Sequence, residues 1–309
     1  MKKLICLLLA LVLCLCVALA EESDTVTVTY VTSPLNVPTI VEFDQSTFRK
    51  HLAALDVGVG YSELTTGPEQ TQALASGDIQ FLFAVGATSV ILSAANGADI
   101  RIISLYSRSP KAFRLLSSDA AIAAPADLRG KTIVGPAGTI LHELLVSYLA
   151  SANMTLSDVN FVDMTIPNAM AALTGGSADA ALIAGVAAYN LARDGYHVVT
   201  TGEGLVDATI AVATSGKFLS ERPDVVKAFL AAQREVLTFM EAHPEDTKAL
   251  VCEKLEMPLE AVEEMYAYYD FSMDITDRDI AGMEKTVRFM LDNGMIDSPV
   301  DIPALIAQP

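Results

Sequence analysis

A glycine-rich turn between an apolar strand and a helix is the part of this sequence best suited to chemistry. Residues 135–139 (GPAGT) follow the apolar residues 132–134 and lead into an amphipathic run that begins at Ile140. The turn lacks the lysine of a P-loop and the spacing of a dinucleotide fingerprint. A helix N-terminus still offers unpaired N–H groups and a partial positive charge, so it can hold an anion without a basic side chain. We expect Gly138 to allow close approach of a ligand, and Thr139 to cap the helix or donate its hydroxyl.

Three other strand-to-helix turns have the same character. They lie at residues 33–36 (SPLN), 86–89 (GATS) and 184–185 (AG). Ligands of open α/β sheets bind beyond the carboxyl ends of strands, where such helices begin. Tyr189, one turn into the helix that follows residues 184–185, could stack on a ligand or lie in the core. The predicted ligand contacts are Ser33, Asn36, Gly86, Ala87, Thr88, Gly138, Thr139, Ala184, Gly185 and Tyr189.

Other chemically capable side chains are arranged less favourably. His142 and Glu143 follow the glycine-rich turn, but neighbours at i and i+1 point to different sides of a helix, which argues against an acid–base pair. The remaining histidines, His51, His197 and His243, have no metal-like spacing. The sequence therefore predicts no catalytic residue, no metal site and no cofactor.

Three basic residues, Arg108, Lys111 and Arg114, cluster near a predicted crossover between two halves of the chain. They could reach an acidic ligand, but a hinge or surface role is favoured. The aromatic-rich stretch at residues 266–271 (YAYYDF) has helical spacing and is expected to be core.

The first twenty residues have the pattern of a secretory signal. Lys2 and Lys3 precede an apolar core at residues 4–17, which is too short to span a bilayer, and a small-x-small cleavage site stands before Glu21. The sequence therefore predicts export across the cytoplasmic membrane, to the periplasm or the outer face of the membrane. Retention of the segment as a membrane anchor is the alternative.

Composition limits the class of partner and the means of stabilisation. The 309 residues include 20 Lys and Arg against 38 Asp and Glu, a net charge of −18, which argues against nucleic acid and anionic membrane surfaces. Cys252 is the one cysteine outside the leader, so no intrachain disulfide is expected. Lipidation at Cys14 or Cys16 is an open alternative. We expect a monomer, because nothing in the sequence indicates an oligomer seam.

Strands and helices alternate from about residue 25 to residue 200, and helices dominate the rest of the chain. The predicted strands are at residues 25–31, 57–61, 81–85, 100–105, 132–134, 159–162, 180–183, 197–200 and 208–214. The predicted helices are at residues 37–55, 68–75, 87–95, 139–152, 168–173, 186–193, 224–242, 244–252, 259–268 and 277–293, with Gly294 as a C-cap.

Part of the alternating pattern occurs twice. Residues 73–86 (ALASGDIQFLFAVG) match residues 172–185 (ALTGGSADAALIAG), with Gln80 and Asp179 as the polar residues before the apolar run. Such a repeat, roughly a hundred residues long, indicates two similar lobes. The predicted division is residues 25–108 plus 208–309 for lobe one and residues 109–207 for lobe two. The crossovers are then near residues 106–110 and 202–207.

Four stretches together resemble the SsuA/THI5-like (NMT1) family of ABC-importer substrate-binding proteins, the group of sulfonate, taurine and thiamine-pyrimidine binders. They are residues 69–91, 125–162, 170–183 and 218–240, taken in their order and spacing. The resemblance implies a two-lobed periplasmic-binding-protein type II fold, each lobe a mixed sheet flanked by helices, with the C-terminal helices on lobe one. The family tends to have Asp at the position of Gln80, and several members hold ligand with Trp, which this chain lacks.

The resemblance implies a non-catalytic protein that closes two lobes over a small solute and docks on a membrane permease. The helix-terminus argument favours a sulfonate-like anion, and a heterocyclic vitamin precursor such as a thiamine pyrimidine is the alternative. An enzyme on the same fold is the alternative from another class, and a sensor that presents ligand to a receptor is a third possibility. A lone Cys252 does not match the Cys-dependent enzymes of the wider fold.

Overall fold

The computed structural model describes residues 24–31 and 35–307. The predicted leader and Ser33 lie outside the described residues. The strands are β1 (Thr25–Thr29), β2 (Gly58–Ser62), β3 (Leu82–Gly86), β4 (Arg101–Arg108), β5 (Phe113–Ser117), β6 (Thr132–Gly135), β7 (Asn160–Asp163), β8 (Ala180–Ala184), β9 (His197–Thr201) and β10 (Thr209–Thr214).

Helices connect these strands and make up most of the chain after β10. They are α1 (Val37–Gln45), α2 (Thr47–Ala53), α3 (Gly67–Ser76), α4 (Ala87–Ala95), α5 (Ile140–Ala150), α6 (Ile166–Thr174), α7 (Gly185–Arg193), α8 (Gly216–Glu221), α9 (Pro223–Ala242), α10 (Pro244–Leu255), α11 (Leu259–Tyr266), α12 (Asp277–Asp292) and α13 (Ile302–Leu305). Among the described residues, no helix is both long and apolar enough to cross a membrane.

The two lobes are built on sheets of the same design. In lobe one, β1 pairs with β2 in parallel, while β10 lies antiparallel between β3 and β4. A parallel bridge from Val28 to Phe81 joins β1 to β3. In lobe two the order is β7-β6-β8-β5-β9, with β5 antiparallel to both neighbours. Each sheet therefore contains one antiparallel strand, and that strand follows a crossover from the other lobe.

The two polar residues singled out by the sequence repeat make the same contact in each lobe. The Gln80 Oε1 accepts the N–H of Thr27 in β1 at 2.7 Å, and the Asp179 Oδ2 accepts the N–H of Thr132 in β6 at 2.8 Å. Gln80 thus fixes β1 beside β3, and Asp179 fixes β6 beside β8, in each case beside the strand that follows the polar residue. Gln80 therefore makes in lobe one the contact that Asp179 makes in lobe two.

The C-terminal helices lie on lobe one, where they complete its core. Helix α9 packs along α1 and α2. The Phe229 ring stacks on Phe48, with centroids 4.3 Å apart, and on Phe81, with centroids 4.0 Å apart. Helix α12 packs against α4 on the other side of the lobe. These helices cover the apolar strands of lobe one, which explains why β3 and β10 are almost continuously buried.

One predicted element was wrong, and three elements of the structure, β5 and the short helices α8 and α13, were not predicted. The helix predicted at residues 37–55 is two helices, because Ser46 adopts a left-handed conformation (φ 53°) between α1 and α2. Strand β5 was not predicted; its five residues are flanked by turns and contain Arg114, which breaks the apolar pattern. The remaining predicted elements are present, with ends that differ by a few residues. The predicted lobe boundaries at residues 108 and 208 stay predictions.

Candidate functional site

The helix N-termini that follow β3 and β6 meet across the two lobes. The Ser89 hydroxyl in α4 donates to the Gly138 carbonyl at 2.9 Å, and a Cβ on Gly86 would stand 3.3 Å from the Ile140 Cδ1. Both turns stand at the carboxyl ends of strands, so the positive ends of two helix dipoles face the same region. The structure thus brings together the predicted contacts Gly86, Ala87 and Thr88 with Gly138 and Thr139.

The turn at residues 135–139 satisfies much of its own backbone. The Ala137 N–H donates to the Asp163 Oδ1 at 2.8 Å, and the Gly138 N–H donates to the His142 Nδ1 at 3.2 Å. Gly138 has φ +67°, the left-handed region that favours glycine, and a Cβ there would lie 3.2 Å from the Leu92 Cδ2. The amide of Gly138 is therefore committed to the protein, and the conformation of this residue depends on its lack of a side chain.

Thr139 does not cap α5, so that part of the prediction was wrong. Its hydroxyl donates to the Pro136 carbonyl at 2.8 Å, which turns the side chain away from the helix amides. In the part of the chain that the structure describes, no acceptor pairs with the N–H groups of Ile140, Leu141 or His142. Unpaired N–H groups at a helix start are the feature that binds anions. The glycine-rich turn thus leaves three N–H groups of the first turn of α5 without an acceptor among the described residues.

Glu143 connects this turn to lobe one. Its Oε2 accepts the Thr88 hydroxyl and its Oε1 accepts the Thr286 hydroxyl of α12, each at 2.7 Å. The Glu143 side chain is buried, with 7% of its surface exposed. Burial raises its pKa, against the opposing effect of the two hydroxyls and of Lys285, while the nearby Asp207 adds to the rise. The start of α4 therefore already has a carboxyl group of the protein beside it.

His142 points to the other side of α5, as expected for neighbouring helix residues. Its ring stacks on Phe161 at 5.0 Å, and 9% of its surface is exposed. Because the Nδ1 accepts an N–H, the proton of the neutral ring is on the Nε2, which is buried and has no partner among the described residues. Burial lowers the His142 pKa, against the opposing effect of Asp163. His142 thus holds the turn in shape and shares no contact with Glu143.

The second pair of predicted turns lies at the starts of α1 and α7. Asn36 is buried and its Nδ2 donates to the Val31 carbonyl at 2.8 Å, so its side chain does not cap α1. Gly185 begins α7 with φ +59°, and Ala184 before it is buried. Tyr189 lies in an apolar cluster with Leu35 of lobe one. The tyrosine therefore packs between the lobes, and the ligand roles of these residues stay predictions.

The basic residues near the first crossover are bound to the protein. The Arg108 guanidinium holds both carboxylate oxygens of Asp279, at 2.6 and 2.7 Å. Lys111 pairs with Glu203 at 3.3 Å, and the Arg114 guanidinium lies 5.4 Å from the centre of the Tyr268 ring. The hinge or surface role that the sequence favoured fits these contacts. No group of His, Cys, Asp and Glu that could hold a metal ion occurs within residues 24–31 and 35–307.

Three residues of this region were not predicted as site residues. Ser89 is the last residue of the GATS turn, so its hydroxyl and its position in that turn could have predicted it as a site residue. Glu143 was considered for acid–base chemistry alone, and its reach to lobe one requires the fold. Thr286 is far along the chain on α12, and no sequence pattern points to it.

Comparison with known proteins identifies the family. The model of the family described as NMT1/THI5 like matches residues 53–247. This chain belongs to the NMT1/THI5-like family. A putative aliphatic sulfonates-binding protein of Escherichia coli K12 is 26% identical to this chain over 267 residues, which cover 81% of this chain and 80% of that protein. The taurine-binding periplasmic protein of the same organism is 30% identical over 206 residues, 65% of this chain and 62% of that protein.

Solved structures share the fold of this NMT1/THI5-like protein. The alkanesulfonate-binding protein SsuA from Xanthomonas axonopodis pv. citri, solved bound to MOPS, superposes with a TM-score of 0.83 at 20% identity, over 94% of this chain and all of that chain. The desulfurization enzyme DSZB superposes with a TM-score of 0.65 at 17% identity, over 92% and 96% of the two chains. The fold is therefore the two-lobed periplasmic-binding-protein fold, and it occurs in binding proteins and in an enzyme.

Proposed function

We propose that this protein is the extracytoplasmic solute-binding component of an ABC importer and closes its two lobes over a small solute with a sulfonate-like group. The sulfonate- and taurine-binding names of its relatives support this assignment. The observation that carries it is the first turn of α5, where three backbone N–H groups have no acceptor among the described residues. Such N–H groups match the oxygens of a tetrahedral anion without a basic side chain.

The charges around the site favour a solute with a single anionic group. Glu143 stands at the start of α4 and Asp207 is close enough to raise the Glu143 pKa. A second negative charge on the solute would be repelled by these carboxyl groups, because they lie near the same helix starts. The proposed ligand therefore carries one anionic head and a neutral or cationic remainder.

The protein binds its solute without turnover in this proposal. Cys252 is half-buried on α10, and His142 and Glu143 are engaged with different partners. The protein then acts as a monomer in the periplasm or on the outer face of the membrane and delivers the solute to a membrane permease. Product formation from a bound sulfonate would contradict this assignment.

The test uses a proline that deletes one backbone N–H at the start of α5. Proline is tolerated at the first position of a helix, and Thr139 before it already has the extended backbone (φ −121°, ψ 173°) that a following proline requires. Ile140→Pro removes the N–H, and the matched control Ile140→Ala loses the buried side chain but keeps the N–H. Calorimetric titration of residues 21–309 with taurine, longer alkanesulfonates and the thiamine pyrimidine then compares the two variants.

We expect a sulfonate to bind Ile140→Ala roughly tenfold or more tightly than Ile140→Pro, because a hydrogen bond to a charged group contributes about 1.5–3 kcal/mol. Equal affinities for the two variants would contradict the helix-terminus grip. Binding of the pyrimidine alone would keep the binding-protein function and replace the ligand class.

A further inference from the structure

A cavity is lined by residues of both crossovers and of the chain around the start of α12. Its volume is about 290 Å³, at the small end of ligand pockets. Arg108 and Pro110 of the first crossover line one wall, and Asp207 of the second crossover lines another. The third wall is the chain between α11 and α12, including Tyr268 and Tyr269. None of the ten predicted ligand contacts lines this cavity, which we name the hinge pocket.

The walls of the hinge pocket are fixed by Arg108. Besides the two bonds to Asp279, its Nη1 donates to the Ser272 hydroxyl at 2.8 Å and its Nη2 donates to the Asp274 carbonyl at 2.8 Å. The backbones of Arg108 and Asp270 also exchange two hydrogen bonds, at 2.8 and 2.9 Å. The guanidinium is therefore saturated, and it shapes the pocket without being free to bind a ligand.

Two oppositely charged side chains of the hinge pocket are uncommitted. Arg278, the second residue of α12, and Asp207 are both exposed, and neither forms a hydrogen bond or ion pair with the rest of the described chain. Tyr269 also lines the pocket, but its hydroxyl oxygen is buried and is not exposed to the cavity. The pocket thus offers the Arg278 guanidinium as a donor and the Asp207 carboxylate as an acceptor.

The overall charge of the lining disfavours a simple anion. Three carboxylates, those of Asp207, Asp270 and Asp279, stand against the guanidinium groups of Arg108 and Arg278. A lone sulfonate or carboxylate would pair with Arg278 but face this negative excess. A molecule that carries both charges satisfies Arg278 and Asp207 at once and adds no net charge.

We propose that the hinge pocket binds a small zwitterion of amino-acid size. Its carboxylate accepts from the Arg278 guanidinium, and its ammonium donates to the Asp207 carboxylate. The occupant touches both crossovers, so it binds one arrangement of the lobes more tightly than another. By linkage it then changes the affinity of the main site for solute. This coupling rests on the proposed function, but binding in the hinge pocket does not depend on it.

The probe is L-alanine, with propionate and ethylamine as ligands that carry one charge each. Calorimetric titrations use residues 21–309 in the wild type, Arg278→Gln and Asp207→Asn. Arg288→Gln is the matched control, because Arg288 is on the same helix with 64% of its side chain exposed and does not line the pocket. Binding of an alkanesulfonate to Arg278→Gln and Arg288→Gln reports separately on the fold and on the main site. Thermal unfolding checks the fold of Asp207→Asn, because Asp207 also lies near Glu143 of the main site.

We expect L-alanine to bind at least tenfold more tightly than propionate or ethylamine, and each pocket variant to lose at least tenfold while Arg288→Gln keeps the affinity. Alanine binding that is absent, or unchanged in both pocket variants, would overturn the hinge pocket. If saturating L-alanine leaves the sulfonate affinity of the wild type unchanged, the coupling between the two sites is overturned. If the wild type binds no sulfonate at all, that result counts against the proposed function and not against the hinge pocket.

Discussion

At the scale of single residues, Glu143 is the side chain that ties lobe two to lobe one. It lies on α5 and accepts hydroxyls from α4 and α12. Burial raises its pKa above the ordinary value of 4.5, so the folded protein binds this proton more tightly than the unfolded chain does. The stability that this carboxyl contributes is complete below pH 4.5 and is lost as the pH rises through the folded-state pKa.

The variant Glu143→Gln removes the charge and keeps the shape of the side chain. We expect it to be more stable than the wild type at pH 8, because the buried charge is gone, and to show a smaller decline in stability between pH 4.5 and pH 8. Urea unfolding at both pH values measures the difference. The control is Glu284→Gln on α12, whose carboxylate is half-exposed. A variant less stable than the wild type at pH 8 would contradict the prediction.

Residue types and motifs predicted which turns meet in the site, but not which atoms remain free there. The GATS and GPAGT turns do converge, because strand ends and helix starts follow from local sequence. Thr139 and Gly138 were expected to face a ligand, yet the Pro136 carbonyl and the His142 ring take their hydrogen-bonding groups. These competing partners lie within four residues along the chain. The sequence shows that they are near, but not that the conformation of the turn places them within hydrogen-bonding distance.

At the scale of elements, the backbone of strand β3 is irregular at Ala84, two residues before the site residue Gly86. This residue has φ +84°, an unusual value for a residue with a side chain, and the pairing of β10 with β3 shifts register beside it. The irregularity is a bulge in which Ala84 has no partner on β10. It sets the direction in which Gly86 enters α4.

Substitutions at Ala84 test this strain. Ala84→Val places a β-branched side chain at a positive φ and is expected to lower the free energy of unfolding by about 2 kcal/mol. Ala84→Gly is the control, since glycine adopts a positive φ freely and is expected to cost less than about 1 kcal/mol. Thermal and urea unfolding of both variants measures the difference. If the two variants lose the same stability, packing and not backbone strain controls this position.

Predicting the elements from sequence succeeded where the apolar period was regular. Helix α4 and the corresponding strands of the two lobes, β3 and β8, come from such segments. Strand β5 was missed because pairing with β8 and β9, and not its own pattern, makes it a strand. The break at Ser46 was missed because the helical period continues through it, while the left-handed backbone there is set by packing of α2 on α9.

At the scale of the whole molecule, Arg108 and Asp279 fasten the C-terminal helices to the first crossover. Burial opposes ionisation of Asp279, but hydrogen bonds from Arg108 and Thr276 outweigh it and hold the pKa at about 2. A carboxyl with a depressed pKa contributes stability above its unfolded value of 3.8, and that stability is lost as the pH falls through about 2.

Asp279→Asn is expected to lower the free energy of unfolding at pH 7 by about 3 kcal/mol, because it leaves the largely buried Arg108 without its main counter-charge. The difference from the wild type should shrink at pH 2.5. Denaturant unfolding at both pH values provides the measurement. Asp274→Asn is the control, since Arg108 binds the Asp274 backbone carbonyl. A loss of the same size in the control would contradict the role assigned to Asp279.

The position of β10 also sets the order in which the molecule can be assembled. This strand lies in the middle of the lobe-one sheet, yet it follows all of lobe two in the chain. The sheet of lobe two is built from consecutive strands, β5 to β9. A chain that emerges from the ribosome with its N-terminus first can therefore finish lobe two while β3 and β4 still lack their shared neighbour. Until β10 arrives, β3 and β4 each have an open edge, and this is the period in which the chain is most prone to pair with other chains and aggregate.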